Sequence, residues 1–289
     1  MKIKAGIPFV FLLLHLGMFA QQGTFPEHFG DIFKSDKMLL GKRVIAGDVG
    51  YAFQNVEFIE TPGEVSNYLR HAIRANVNVN PKSQWFLRTT FYLDLNQSDQ
   101  TPVWLANVFY QVGYYDWRNR RFSFGYENFQ PNRFKNAQVD FLTNLRRGHF
   151  FVSYNFALEQ GERDNRHILL LDHTSRIVLS PFVRIHPEFP NDFNDFGGYF
   201  KPVAGAMLRY VIYRNFYIEG AVYFYPISRT VVPWDPDFTY GFGVFNWQSF
   251  RVNVSYGNWI ANRFPWNESQ MPFHGILNGE LNVSVTWAW

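Results

Sequence analysis

In several stretches of this chain, charged residues occupy one face of an alternating pattern and apolar residues occupy the other. Arg70 and Arg74, for example, directly follow Leu69 and Ile73. The guanidinium group of arginine is permanently charged and presents a planar fork of N–H donors that suits carboxylate and phosphate groups. The residues assigned to this pattern are eight arginines and four acids: Arg70, Arg74, Arg88, Asp94, Arg121, Asp140, Arg146, Arg184, Arg209, Glu219, Arg251 and Glu280.

A single enclosed surface that carried all of these charges would be mildly basic, and such a surface favours anions. The alternative is that the charges pair with one another across the enclosed space and fill it. The pattern by itself is compatible with both.

An internal repeat forms a second pattern: residues 110–134 match residues 240–264 without a gap. So many shared residue types at one offset are hard to obtain by chance, even in a chain rich in aromatic residues. Each copy is predicted to be a hairpin with the loop that leaves it, and both copies are predicted to run in the same direction. One interpretation is the duplication of a building unit, with Trp117 and Trp247 near the short turns.

The other interpretation is a pair of surface sites. Aromatic side chains stack on sugar rings, and Asn and Arg side chains hydrogen-bond to hydroxyl or carboxylate groups, so the ligand would be a glycan or lipopolysaccharide. The residues of these two sites are Asn128, Phe129, Asn132, Arg133, Phe134, Asn258, Trp259, Asn262, Arg263 and Phe264.

Patterns typical of enzymes and metalloproteins are sparse. The sequence contains no phosphate-binding loop and no dinucleotide fingerprint, and its eight histidines are scattered singly, so neither a metal nor a cofactor is expected. A local pair, His173 and Ser175, is interpreted as part of a turn rather than as a catalytic pair. No catalytic residue is predicted, and the protein is expected not to be an enzyme.

The first forty residues differ from the rest. Residues 1–20 combine Lys2 and Lys4 with an apolar run too short to cross a bilayer, which predicts a cleaved secretory signal. Residues 21–40 lack strand alternation and are predicted to form a periplasmic arm or a plug in the mouth of the following domain, with disorder as the alternative. Without the two signal lysines the net charge falls from +3 to +1, so nucleic-acid binding is not expected. The chain has no cysteine and hence no disulfide.

Strands are the elements that must position the charged residues. In 277–289, apolar residues at most odd positions alternate with small or polar residues at even positions, the pattern of a strand with one apolar and one polar face. Aromatic residues make up 20% of the chain, yet no later apolar run is long enough for a membrane helix. A closed barrel satisfies its backbone hydrogen bonds and encloses polar side chains, so residues 41–289 are predicted to form one membrane-spanning β-barrel.

The end of the chain carries a resemblance to a known class. Trp289, preceded at alternate positions by Trp287 and Val285, resembles the closing strand of bacterial outer-membrane β-barrels. The resemblance implies an all-β, antiparallel up-and-down barrel in the outer membrane of a Gram-negative bacterium. Its implied partners are outer-membrane lipid and, during biogenesis, the barrel-assembly machinery that reads the terminal strand.

The alternation predicts about fourteen strands, with twelve as the alternative. The twelve-strand alternative arises near 169–175, where one long strand could replace a hairpin. The fourteen predicted segments are 41–58, 65–79, 85–95, 102–115, 120–128, 137–146, 149–159, 167–172, 177–186, 201–213, 215–225, 237–246, 249–258 and 277–289.

The leading functional expectation is a channel or pore for small anionic or sugar-like solutes. The first alternative is a structural or accessory surface barrel with a closed lumen, which binds glycan, lipopolysaccharide or a secretion or assembly partner. The second alternative is a lipid-modifying outer-membrane enzyme.

Overall fold

Stretches in which apolar and polar residues alternate form the strands of this protein, because successive side chains of a strand point to opposite faces. The structure is a computed structural model that describes residues 45–61, 64–82, 84–96, 106–116, 119–132, 141–159, 176–190, 198–213, 216–231, 235–244, 250–258, 262–264, 266 and 279–288. The predicted signal and arm therefore lie outside the described residues.

The strands, in chain order, are β1 (Ile45–Thr61), β2 (Glu64–Lys82), β3 (Trp85–Asp94), β4 (Val108–Tyr114), β5 (Arg121–Asn132), β6 (His149–Glu159), β7 (Arg176–Pro190), β8 (Gly198–Tyr213), β9 (Phe216–Phe224), β10 (Phe238–Val244), β11 (Val252–Asn258) and β12 (Glu280–Ala288). A short helix, α1 (Phe141–Arg146), precedes β6, and a 3₁₀ turn (Ser228–Thr230) follows β9.

These twelve strands form one closed barrel in which each strand pairs with its neighbours in the chain and β12 pairs with β1. The closing pair is antiparallel, with Ala46 opposite Ala288 and Val49 opposite Val285. Both ends of the barrel segment thus lie at the same rim, which we call the terminal rim; the opposite rim is the loop rim. The prediction of an all-β, up-and-down barrel closed by the terminal segment is confirmed.

The number of strands is twelve, the alternative to the favoured fourteen. β5 pairs directly with β6, and β6 pairs directly with β7, so the barrel ladder contains neither of the two extra predicted strands. Residues 141–146 of the predicted strand 137–146 form α1 instead. Phe141, Leu142 and Leu145 also fit helical spacing, and a short apolar segment does not distinguish the two periods. The other segment, 167–172, lies outside the described residues.

The outer surface of the barrel is apolar. Phe91, Val222, Phe242, Val254 and Val283 are all exposed, as expected for residues that face lipid. Other exposed apolar residues on the strands are Val49, Leu69, Leu87, Leu93, Val112, Phe150, Val152, Val183, Leu208, Ile218 and Leu281. An apolar surface that encircles a closed sheet is favourable in contact with lipid rather than water, so the barrel is built to span a membrane. Among the described residues, no helix is long and apolar enough to do so.

Strand positions in the two halves of the barrel follow a spacing close to the 130 residues that separate residue 110 from residue 240 in the sequence repeat. β1 and β7, β3 and β9, and β6 and β12 each begin 131 residues apart, for example at Ile45 and Arg176. The turns before β5 and β11 also match, because each contains a non-glycine residue with positive φ, Arg120 at 58° and Phe250 at 63°. The two copies of the sequence repeat lie six strands apart in a ring of twelve. They therefore run in the same direction on opposite sides of the barrel.

Candidate functional site

The polar faces of the strands line the inside of the barrel, which makes the inner wall the candidate functional site. Most of the predicted charges occupy inward positions on the strands or next to them: Arg70, Arg74, Arg88, Asp94, Arg121, Arg184, Arg209, Glu219, Arg251 and Glu280. Arg146 differs, because it ends α1 with its side chain 65% exposed and 3.5 Å from Glu188. Asp140 lies outside the described residues.

One sector of the inner wall, formed by β12, β1, β2 and β3, is filled with paired side chains. Arg70 Nε donates to Asp94 Oδ1 at 2.5 Å, and its guanidinium lies 4.3 Å from the centre of the Tyr92 ring. The Tyr92 hydroxyl donates to the Glu280 carboxylate at 3.0 Å. Arg74 Nε lies 3.9 Å from the same carboxylate. This sector, which we call the filled sector, agrees with the alternative in which charges pair across the barrel.

A layer closer to the terminal rim continues the filled sector with neutral partners. Asn76 Nδ2 donates to Asp48 Oδ2 at 2.9 Å, and the Thr90 hydroxyl donates to Asn76 Oδ1 at 2.5 Å. Asp48 and Asn76 are buried. The carboxylate of Asp48 is therefore screened from water that enters the barrel.

Arginines elsewhere on the wall remain accessible to water. Arg88 is exposed, and its Nε donates to Asn78 Oδ1 at 2.7 Å. Arg209 donates through Nε and Nη2 to Glu219 Oε2, at 2.9 and 2.7 Å. Arg184 lies 4.7 Å from the centre of the Phe182 ring. We call the wall around these three arginines the open sector.

The two sectors differ in the sign of their accessible charge. The side chains of Asp94 and Glu280 are 3% and 4% exposed, whereas those of Arg184 and Arg209 are each 30% exposed. Glu219 is 22% exposed but is bound to Arg209. The difference in exposure therefore adds to the excess of arginines on the inner wall and gives the wall a cationic accessible surface.

A cluster near the loop rim contains residues that were not predicted. Lys201 is 1% exposed, and its Nζ lies 2.5 and 2.6 Å from the two carboxylate oxygens of Asp235. Glu127 Oε2 lies 2.8 Å from His149 Nε2, and the centres of the His149 and His186 rings are 4.6 Å apart. The signal was present in the sequence, because Lys201 has the strand parity of Arg209 and Glu127 has that of Arg121.

Two repeat residues on the outer face, Asn128 and Asn258, are hydrogen-bonded to other residues of their own copy. Asn128 and Asn258 are 0% exposed. Asn128 Nδ2 donates to the Tyr110 hydroxyl at 2.9 Å, and Asn258 Nδ2 donates to the Tyr240 hydroxyl at 3.2 Å. The two asparagines thus make the same contact in each half, an arrangement that favours the building-unit interpretation over a ligand site.

The rest of the second copy forms a packed loop. Asn262 is 1% exposed and donates to Asn258 Oδ1 at 3.0 Å, and Arg263 Nη1 donates to Asp237 Oδ1 at 2.9 Å. The Phe264 ring stacks on that of Trp266 at 4.7 Å, and Trp266 is 78% exposed. In the first copy, Asn132 ends β5. The structure does not describe the side chains of Phe129, Asn132, Arg133, Phe134 and Trp259. It also does not describe Trp117, Trp247 and the segment 173–175.

The described part of the chain brings together no three His, Asp or Glu side chains that could hold a metal ion. Among the described residues of the inner wall, arginine is the principal accessible group, and it binds anions by charge and hydrogen bonds.

Comparisons with known proteins give structural similarities at low identity. No protein-family model matches the sequence, and no curated protein matches it. The fold is similar to an outer membrane channel from Pseudomonas putida, with 10% identity, a TM-score of 0.39, and coverage of 86% of this chain and 96% of that one. It is also similar to a mutant of the porin from Rh. blastica, with 9% identity, a TM-score of 0.28, and coverage of 85% and 98%. By its own geometry, the chain is a closed antiparallel barrel with an apolar exterior and a charged interior, the architecture of outer-membrane barrels.

Proposed function

We propose that this protein is an outer-membrane channel of a Gram-negative bacterium that passes small anionic solutes. The observation that carries the proposal is the difference in exposure between the two charge signs inside the barrel. Arg88, Arg184 and Arg209 face accessible space, whereas Asp94 and Glu280 are buried in the filled sector.

Accessible charge determines which ions enter a pore, because a low-dielectric wall focuses the field of the groups that line it. A buried carboxylate bound to an arginine contributes a dipole rather than a net charge. Arg209 is largely offset by Glu219, whereas Arg88 is bound to the neutral amide of Asn78. The open sector therefore attracts anions and repels cations.

Planar-bilayer recording of the refolded protein tests the proposal. A potassium chloride gradient should give a reversal potential that indicates preference for chloride. Arg88→Gln with Arg184→Gln should shift this potential toward that of potassium, because two accessible positive charges are removed. Arg146→Gln removes the same charge from an exposed helix and should leave the potential unchanged. Absence of current from a correctly folded barrel would exclude the channel.

A second candidate is a closed accessory barrel, and the filled sector favours it. Tyr92, Glu280 and Arg70 join strands on one side of the inner wall with buried side chains, which narrows the lumen. Such a barrel could bind lipopolysaccharide at its loop rim, where Trp266 is exposed and stacked. A folded protein that carries no current but binds lipopolysaccharide, with loss of binding in Trp266→Ala, would support this candidate instead.

A further inference from the structure

Two polar pairs lie on opposite walls inside the barrel. Asn78 pairs with Arg88 between β2 and β3, and Arg209 pairs with Glu219 between β8 and β9. Asn78 and Arg209 are 131 residues apart, as are Arg88 and Glu219. Because β2 and β3 lie six strands from β8 and β9, respectively, in a ring of twelve, the two pairs are on opposite walls of the barrel, with Arg88 on β3 and Arg209 on β8.

Arg88 is oriented but not neutralised. Its Nε donates to Asn78 Oδ1 at 2.7 Å, and the two terminal amino groups take no part in that hydrogen bond. Among the described residues, ion pairs are formed by Arg70, Arg74 and Arg209 but not by Arg88. A guanidinium group fixed in this way presents the parallel donors that bind a planar or tetrahedral oxyanion through two hydrogen bonds.

The opposite wall adds a second guanidinium group. Arg209 donates through Nε and Nη2 to a single oxygen, Glu219 Oε2. Its other terminal amino group, Nη1, takes no part in these two hydrogen bonds. The charged groups that act on Arg88 include Arg209 and Arg74, along with Glu127 and Asp48. Both acids have other partners, since Glu127 contacts His149 and Asp48 accepts from Asn76. An anion between the two walls would relieve the repulsion between the arginines.

We propose that Arg88 and Arg209 form an oxyanion-binding site across the lumen, which takes the carboxylate or phosphate group of a solute. The inference rests on the proposed channel function for its role in transport. Oxyanion binding can nevertheless be measured without any current, so the site and the channel can be tested separately.

Phosphorus NMR of inorganic phosphate, titrated with the full-length barrel in a phosphorus-free detergent, measures the site directly. Wild type should broaden the phosphate resonance in a saturable way. Arg88→Gln should weaken binding about tenfold, because the charge-assisted pair of hydrogen bonds is lost. Arg88→Lys keeps the charge but not the fork and should bind with intermediate affinity. Arg146→Gln, which changes the same charge outside the lumen, should bind like wild type. Heat-modifiable migration on gels establishes that each variant is folded.

Addition of acetate to the phosphate-saturated protein shows whether the site binds carboxylates as well as phosphates. Displacement assigns carboxylates as well as phosphates to the site, and resistance to acetate restricts it to phosphate. The proposal is overturned if wild type shows no saturable binding, or if folded Arg88→Gln or Arg88→Lys binds like wild type. Saturable binding by a barrel without current would overturn the channel and retain the site, whereas current without saturable binding would overturn the site alone.

Discussion

The face that a residue occupies on its strand determines its environment in this barrel. Val254 on β11 is 42% exposed on the apolar outside, and its neighbour Ser255 points inward. Asn128 and Asn258 show the exception, because a polar side chain on the outer face is tolerated where a tyrosine hydroxyl accepts its hydrogen bond. Alternation in the sequence indicates which face a residue occupies. The hydrogen-bond partner of a polar residue on the outer face, however, comes from a neighbouring strand.

The facing of β11 can be tested with a matched pair of arginine substitutions. Val254→Arg should lower the free energy of unfolding by about 2–4 kcal/mol if it lies near the bilayer midplane, because the charge would enter lipid. Ser255→Arg places the same side chain in the lumen and should cost less. Urea unfolding in lipid vesicles gives both values. Equal costs would show that the two faces of β11 are in the same solvent.

Glycine is required at two positions where a tyrosine packs closely against the backbone, one in each half of the barrel. A Cβ at Gly148 would lie 2.0 Å from the Tyr126 hydroxyl oxygen and 2.3 Å from its ring, and one at Gly279 would lie 2.3 Å from the Tyr256 ring. We expect Gly148→Ala to destabilise the barrel by about 1–3 kcal/mol through overpacking. Gly220→Ala is the control, because its nearest atom is a carbonyl oxygen at 3.3 Å.

Urea unfolding of Gly148→Ala, with and without Tyr126→Ala, isolates the contact. Removal of the ring should abolish the added cost of the alanine, so the effects of the two substitutions should not be additive. Additive effects would contradict direct packing of Tyr126 on Gly148.

At the scale of elements, the segment that follows β9 is folded toward the lumen. The Tyr199 hydroxyl donates to Thr230 O at 3.0 Å, and Lys201 binds Asp235. Both β8 residues point inward, so they hold this segment against the mouth of the barrel. Burial, with Asp235 nearby, raises the pKa of Tyr225, whose hydroxyl donates to Pro236 O at 2.7 Å. The Tyr225 hydroxyl therefore stays protonated and keeps this bond.

The buried ion pair at this mouth should be strongly coupled. Asp235→Asn leaves the ammonium of Lys201 buried without its counter-charge and should cost about 3–5 kcal/mol. Lys201→Met should cost a similar amount, because it leaves the Asp235 carboxylate buried without its counter-charge. The double variant should cost much less than the sum of the two single substitutions. Denaturant titrations of the four proteins measure the coupling. A double variant whose cost equals the sum would show that the segment is held by other contacts.

At the scale of the whole molecule, closure depends on the last strand. β12 pairs with β11 on one side and β1 on the other, so that Val285 lies opposite both Val252 and Val49. Deletion of 285–289 should leave export intact and prevent assembly, because two neighbouring strands lose partners and backbone groups would be unpaired in lipid. Heat-modifiable migration in outer-membrane fractions is the measurement. A truncated protein that still assembles would contradict the role of this strand.

The strand number has an equally direct test, since the chain has no cysteine of its own. In the twelve-strand barrel Arg146 lies at the loop rim, whereas a fourteen-strand barrel would place it beside a turn at the terminal rim. Both ends of the barrel segment are expected on the periplasmic side, so the loop rim faces the outside of the cell. Arg146→Cys should therefore react with an impermeant maleimide on intact cells, and Asn119→Cys, at the terminal rim, should be protected. The reverse labelling of Arg146→Cys would restore the fourteen-strand topology.

Alternation of apolar and polar residues was sufficient to predict an all-β barrel. Alternation in 277–289 and around Arg70 indicates which side chains face lipid and which face the lumen, because the period of a strand assigns faces without reference to any partner. It also indicated the direction of the two repeat copies. Only the tertiary structure decided that 141–146 is helical and that the ring closes with twelve strands, since a short apolar segment fits both periods.

Tertiary structure also decided which charges remain accessible. Tyr92 and Glu280 are 188 residues apart in the chain, and Arg88 on β3 and Arg209 on β8 are placed on opposing walls only because the ring closes. Such partners depend on strand number and register. The alternation within a strand indicates which face each side chain occupies, but it does not indicate strand number or register. Those quantities are set when the ring closes and brings opposite walls together.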